Sequence, residues 1–226
     1  MYTKQKYSVK SMLWWTRHDT LVLLVIALIP VLVYEVLDQE WLHLPWLPIA
    51  VVGTAVAFII SFQNNASYDR VWEARKIWGG IVNTSRSWGI VVNDFITNDF
   101  AEEPATEKEL DGIREELIFR HIAWLTALRH AMRQPRPWER SMDAPSNKEW
   151  GEAIGVREHR FSLKDELVPY LSTEQLDYVL GKSNKATQLL SLQSKQLREL
   201  RTRGLIDDFR HMEMEKILAE LYTLQG

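Results

Sequence analysis

Leu44-Pro-Trp-Leu-Pro-Ile-Ala-Val-Val-Gly-Thr-Ala-Val-Ala-Phe-Ile-Ile-Ser-Phe62 runs for 19 residues without an Asp, Glu, Lys, Arg or His. A bilayer core of about 30 Å takes roughly 20 apolar residues at a rise of about 1.5 Å each, so this stretch is long enough to cross one as a helix. A buried helix of a soluble domain normally keeps one polar face, and this one has none. Upstream, every residue from Leu21 to Val33 is apolar, and the run reaches Leu37 with Glu35 near its end. Together the two runs predict a transmembrane helical hairpin over residues 21–62.

Charge placement orients the hairpin. Lys4, Lys6, Lys10 and Arg17 precede the first run, and Arg70, Arg75, Lys76 and Arg86 follow the second. The loop between them, Asp38-Gln-Glu-Trp-Leu-His43, has no Lys or Arg. The positive-inside rule therefore predicts a multi-pass protein of the cell membrane, with residues 1–20 and everything after Phe62 in the cytoplasm and the loop outside. Trp14, Trp15, Trp41 and Trp46 flank the runs as interfacial aromatics do, which accounts for part of the ten Trp. A signal peptide is not expected, given the long charged stretch ahead of Leu21 and the lack of a small-x-small cleavage site before the second run. The net charge of -3 and mean hydropathy of -0.22 are averages over these segregated halves. With no cysteine, disulfides, thiolate metal sites and cysteine nucleophiles are excluded.

Past Phe62 the chain becomes charged and helix-rich. No Pro interrupts Ser61–Phe100, and Val71, Ile77, Ile81, Trp88 and Val92 recur at roughly helical spacing, so the second membrane helix is predicted to continue through Asn64–Asn98. A Thr106-x-x-Glu109 capping box opens a helix to about Arg133, which Pro135 and Pro137 stop. Residues 134–160 read as a loop. Ser172-x-x-Gln175 starts a short helix ending at Gly181, and Asn184–Thr202 and Leu205–Leu224 read as two more helices broken at Gly204. The expected fold class is all-α: an integral membrane helical hairpin (21–62) after a short N-terminal segment (1–20), continuing into a cytoplasmic helical bundle (63–226).

Catalytic chemistry is not encoded in any recognisable motif. There is no Gly-rich phosphate loop, GxSxG elbow, HExxH or Cys/His zinc spacing. His121 and His130 are nine residues apart, a poor spacing for one metal, and read as satisfied histidines. The carboxylate pairs Glu102-Glu103, Glu115-Glu116 and Asp207-Asp208 fall at helix starts or on charged faces, where solvation and the helix dipole explain them. Lys195, Arg198, Arg201 and Arg203 share their helix with Glu199, so the stretch does not read as a nucleic-acid surface. No catalytic residue, metal or cofactor is expected.

The pattern that does stand out lies within and just after the second run. Thr54, Phe58 and Phe62 fall at i, i+4 and i+8 on one helical stripe, and Gly53 and Ala57 allow a neighbouring helix to approach. In a symmetric oligomer the stripe repeats as stacked rings, which gate ions by dewetting, and Gln63, Asn64 and Asn65 just beyond can replace part of an ion's hydration shell. The alternative is that Phe58 and Phe62 simply face lipid. The following Tyr68, Asp69, Arg70, Trp72, Glu73 and Arg75 also read as a juxtamembrane anchor, with aromatics and arginines at the headgroups and Glu73 within reach of Arg70 and Lys76. Anion attraction by Arg70 or Arg75 and cation attraction by Asp69 or Glu73 are both open.

The stretch Phe62-Gln-Asn-Asn-Ala-Ser-Tyr-Asp-Arg-Val-Trp-Glu-Ala-Arg-Lys-Ile-Trp-Gly79, with the apolar helix before it and Ser85-Arg-Ser87 after it, closely resembles the prokaryotic branch of the bestrophin family. That resemblance implies a homopentameric, mostly helical ion channel of the bacterial inner membrane that conducts small monovalent ions. Chloride or another anion is expected by family, with cation conduction possible in the prokaryotic branch. It implies an axial pore with a neck at Thr54, Phe58 and Phe62, where Thr54 departs from the family's apolar pattern. It also implies a polar pore exit at Gln63, Asn64 and Asn65, and a cytosolic aperture within Asn184–Leu192, with Gln188 and Leu189 as candidates. Tyr68, Asp69, Arg70, Trp72, Glu73 and Arg75 carry the family motif. Expected partners are further copies of the chain, membrane lipid and ions, without nucleic acid. Family members continue with two more transmembrane helices, so the chain reads as a truncated piece. The alternative outside the resemblance is a membrane-anchored helical scaffold or regulatory protein without a pore.

Overall fold

The computed structural model describes residues 8–37, 45–134, 144–155, 158 and 160–226. Among the described residues there are eight helices and no strand: α1 (Val9–Leu37), α2 (Trp46–Phe95), α3 (Glu107–Met132), α4 (Pro145–Ile154), α5 (Leu163–Leu167), α6 (Thr173–Leu180), α7 (Lys185–Thr202) and α8 (Asp208–Gln225). The loop Asp38–His43 with Trp41, the lysines Lys4 and Lys6, and Pro135 and Pro137 lie outside the described residues. The chain divides into two compact units, Met1–Val71 with Pro135–Val156, and Trp72–Gln134 with Arg157–Gly226.

The first unit holds α1, the apolar part of α2, and α4. At 29 residues α1 is about 43 Å long, and both apolar runs sit in helices whose membrane-length windows are 0% buried. Helix α4 replaces part of the expected 134–160 loop. Pro145 at its first turn, Gly151 inside it and the left-handed Gly155 after it (φ 61°) gave this segment the composition of a loop.

The second unit is a helical bundle with α7 at its centre, packed on α3, α6 and α8. The end of α2 turns Ile81, Thr84, Trp88 and Val92 into this core, and Ala186, Leu189, Leu190, Gln193, Leu197 and Leu200 form the buried face of α7. The two predicted caps, Thr106 and Ser172, are formed, and Asn184 adds a third. Thr106 accepts from the Glu109 amide, Ser172 from Gln175, and Asn184 from Thr187. Asp207 caps α8 in the same way, which moves the helix start from the expected Leu205 to Asp208. The short α5, capped by Ser162 on the Asp165 amide, follows just after the expected loop, between it and the helix started by Ser172.

Two details lock the turn between α7 and α8. Gly204 has φ 71°, and the amides of Gly204 and Leu205 donate to the Arg201 and Leu200 carbonyls, a Schellman end. Arg210 then donates to the Phe95 carbonyl at 3.2 Å, to Thr97 Oγ1 at 2.8 Å and to Asp99 Oδ2 at 3.3 Å, with the Phe95 and Phe100 rings beside its guanidinium.

Candidate pore-lining segment of α2

A helix advances about 100° per residue, so Thr54, Phe58 and Phe62 lie within about 80° of one another along roughly 12 Å of α2. Phe58 is 61% exposed and Phe62 70% exposed. The Thr54 hydroxyl donates to the Ala50 carbonyl at 2.9 Å. With its proton committed to the backbone, Thr54 presents its methyl group more than its hydroxyl, which brings it closer to the apolar pattern from which its residue type departs. Val51, Val52, Val56, Ile59 and Ile60 are exposed as well. So much contiguous apolar surface is covered by lipid or by other chains.

Gln63, Asn64 and Asn65 follow directly on the same helix and are exposed. Tyr68, Asp69 and Arg70 belong to the first unit, and Trp72, Glu73 and Arg75 to the second; all six are exposed. The Glu73 ion pairs with Arg70 and Lys76 that the spacing allows are not formed.

At the aperture candidates the structure separates the two residues. Gln188 is partly exposed, and its Oε1 accepts from the Tyr178 hydroxyl at 3.0 Å. Leu189 is fully buried in the core of its own chain and has no surface to give to an aperture, because it lies on the α7 face with Leu190 and Gln193. Phe209 is 80% exposed on the first turn of α8, at the Arg201–Asp208 end of α7 and so away from Gln188.

Among the described residues no group of three metal-ligating side chains comes together. His121 is buried, with its ring 6.1 Å from that of Trp88 and 5.1 Å from that of Trp124, and burial lowers its pKa to about 4. His130 sits 3.2 Å from Glu166. In the basic stretch, Arg201 pairs with Asp208, Arg203 with Glu109 and Lys195 with Glu199, which neutralises much of its charge.

A profile of the bacterial/fungal bestrophin proteins matches residues 8–226. The voltage-dependent anion channel-forming protein RSc3414 of Ralstonia nicotianae is 50% identical over 54 residues, covering 20% of this chain and 18% of that protein. The voltage-dependent anion channel-forming protein YneE of Escherichia coli is 26% identical over 175 residues, covering 77% of this chain and 45% of its own length. A crystal structure of a bacterial bestrophin homologue from Klebsiella pneumoniae superposes with a TM-score of 0.70 at 20% identity, covering 93% of this chain and 65% of that one. The chain thus spans less than half of these curated relatives and about two thirds of the solved homologue. These relatives carry channel names, not enzyme names, and with two uncovered apolar helices the chain is a membrane protein. From a match that runs along nearly the whole sequence and a fold shared over nine-tenths of it, the chain belongs to the bacterial/fungal bestrophin family.

Proposed function

We propose that this chain builds the pore of an anion channel as one of several identical subunits, five by the family resemblance. The observation that carries the reading is α2 itself. It is one unbroken helix whose apolar span bears the Thr54, Phe58 and Phe62 stripe and passes without interruption into exposed carboxamides and then into a helical bundle. Repeated around an axis, the stripe makes a dewetting neck, and Gln63, Asn64 and Asn65 meet the ion where it rehydrates. Gln188, partly exposed near the start of α7, stays as the aperture candidate, while Leu189, buried in the core of the bundle, drops out. The pore passes small monovalent ions across the cell membrane, with the bundle on the cytoplasmic side where the positive-inside rule places it.

The test is single-channel recording, under asymmetric KCl, of the longest natural protein that contains this chain. A reversal potential near that of chloride supports the reading. One near that of potassium replaces anion with cation conduction, and silence in both leaves the membrane-anchored scaffold.

A further inference from the structure

Helix α4, in the stretch that reads as a loop, is fastened to the N-terminal end of α1 within the same compact unit. Glu149 Oε2 accepts from the Arg17 guanidinium at 2.5 Å, and its Oε1 lies 3.6 Å from His18 Nε2. Trp15 Nε1 donates to Asn147 Oδ1 at 3.1 Å. Arg17 is itself held in place, donating to the Trp14 carbonyl at 2.6 Å with its guanidinium 4.5 Å from the Trp14 ring centre. The Arg17 hydrogen bond holds the Glu149 carboxyl below its ordinary range.

The position of this clamp along α1 fixes its depth. Arg17 precedes Leu21, the first residue of the apolar run, by four residues, which is about 6 Å of helix. Headgroup layers add about 5–8 Å to each side of a hydrocarbon core of about 30 Å. Trp15, Arg17 and His18 therefore project at headgroup level when α1 crosses the bilayer, and their partners Asn147 and Glu149 are drawn there with them. Trp and Arg are side chains that settle in that layer, and Lys148 on α4 is exposed beside them.

We infer that α4 is a membrane-surface helix, held among the lipid headgroups by the Glu149 clamp on α1, with Lys148 exposed to anionic lipid phosphates. The inference rests on the reading that α1 spans the membrane. The chain has no cysteine, so single-cysteine variants report one site each. Lys148→Cys, Ile26→Cys and Lys195→Cys, labelled with a small fluorophore in phosphatidylethanolamine–phosphatidylglycerol vesicles, are each exposed to lipids with a nitroxide near the headgroup or deep in the acyl chain, and to aqueous iodide. Most of the Lys148→Cys emission should be lost to the headgroup nitroxide and little to iodide, Ile26→Cys should respond to the deep nitroxide, and Lys195→Cys to iodide alone. Adding Glu149→Ala should give Lys148→Cys the iodide response of Lys195→Cys, with helix content by circular dichroism unchanged. If Ile26→Cys is quenched in the acyl region but Lys148→Cys answers only to iodide, the surface helix is refuted while the membrane span stands. If neither is quenched by lipid, the span and the inference fall together, and headgroup quenching that survives Glu149→Ala removes the clamp as its cause.

Discussion

His121 shows how a single buried side chain writes a pH dependence into the bundle. It lies against Trp88 and Trp124, and desolvation takes its pKa from 6.5 to about 4. The folded state therefore holds the neutral ring while the unfolded chain binds a proton below about 6.5. The stability from this group is complete above that pH and is lost as pH falls towards about 4, by an amount on the order of 3 kcal/mol. Replacing His121 with Phe keeps an aromatic between the two indoles and removes the titration, so chemical denaturation between pH 6.5 and 4 should show a flatter stability profile than in the unmodified chain. An equally steep profile in His121→Phe would assign the acid sensitivity to other groups. Gly204 makes a second residue-scale case, because its φ of 71° and the Phe100 carbonyl oxygen, 2.4 Å from where a Cβ would sit, exclude any side chain. Gly204→Ala should cost about 2 kcal/mol or more in thermal or denaturant unfolding. Gly112, exposed inside α3 with nothing within 4 Å of its Cβ position, should instead gain about 0.5–1 kcal/mol as Ala.

At the scale of elements, the neck reading makes α2 answerable by flux. Exchanging Phe58 and Phe62 together for Ala widens the stripe and lowers its dewetting barrier, so anion flux from liposomes should rise. Thr54→Val should change flux little, because the Thr54 hydroxyl already donates to the Ala50 carbonyl. Unchanged flux in the double variant would place Phe58 and Phe62 against lipid. Most helices were legible in the sequence because their signals are local. Thr106, Ser172 and Asn184 each have the capping geometry that their residue type predicts, and an apolar run without a polar face could only be a span or a core. Helix α4 was illegible because Pro145, Gly151 and Gly155 punctuate the segment as a loop, while the contacts from Trp15, Arg17 and His18 that seat it against α1 are tertiary and leave no local signal. Leu189 is an aperture candidate only by the family resemblance, and the periodicity of α7 puts it on the buried face with Leu190, Gln193 and Leu197.

For the molecule as a whole, the decisive fact is that α1 and the apolar part of α2 bury none of their membrane-length windows within the chain. A single copy in water would expose far more contiguous apolar surface than soluble monomers do, so the chain acquires its stable form only among lipids and other helices. The bundle is different in kind. Its Trp88, Trp124, Leu197 and Met214 are fully buried within one chain, so this core draws on no second copy. Because the spans and the bundle make such different demands on their surroundings, the side of the membrane that receives the bundle determines every pore assignment. By the positive-inside rule, Lys10 and Arg17 before the first apolar run and Arg70, Arg75, Lys76 and Arg86 after the second predict both flanks inside, and Asp38–His43, with no lysine or arginine, outside. On a background without native cysteine, Glu40→Cys in intact cells should react with a membrane-impermeant maleimide, and Lys195→Cys should react only once the membrane is opened. The opposite pattern would turn the channel over and place the Gln63, Asn64 and Asn65 carboxamides at the outer mouth.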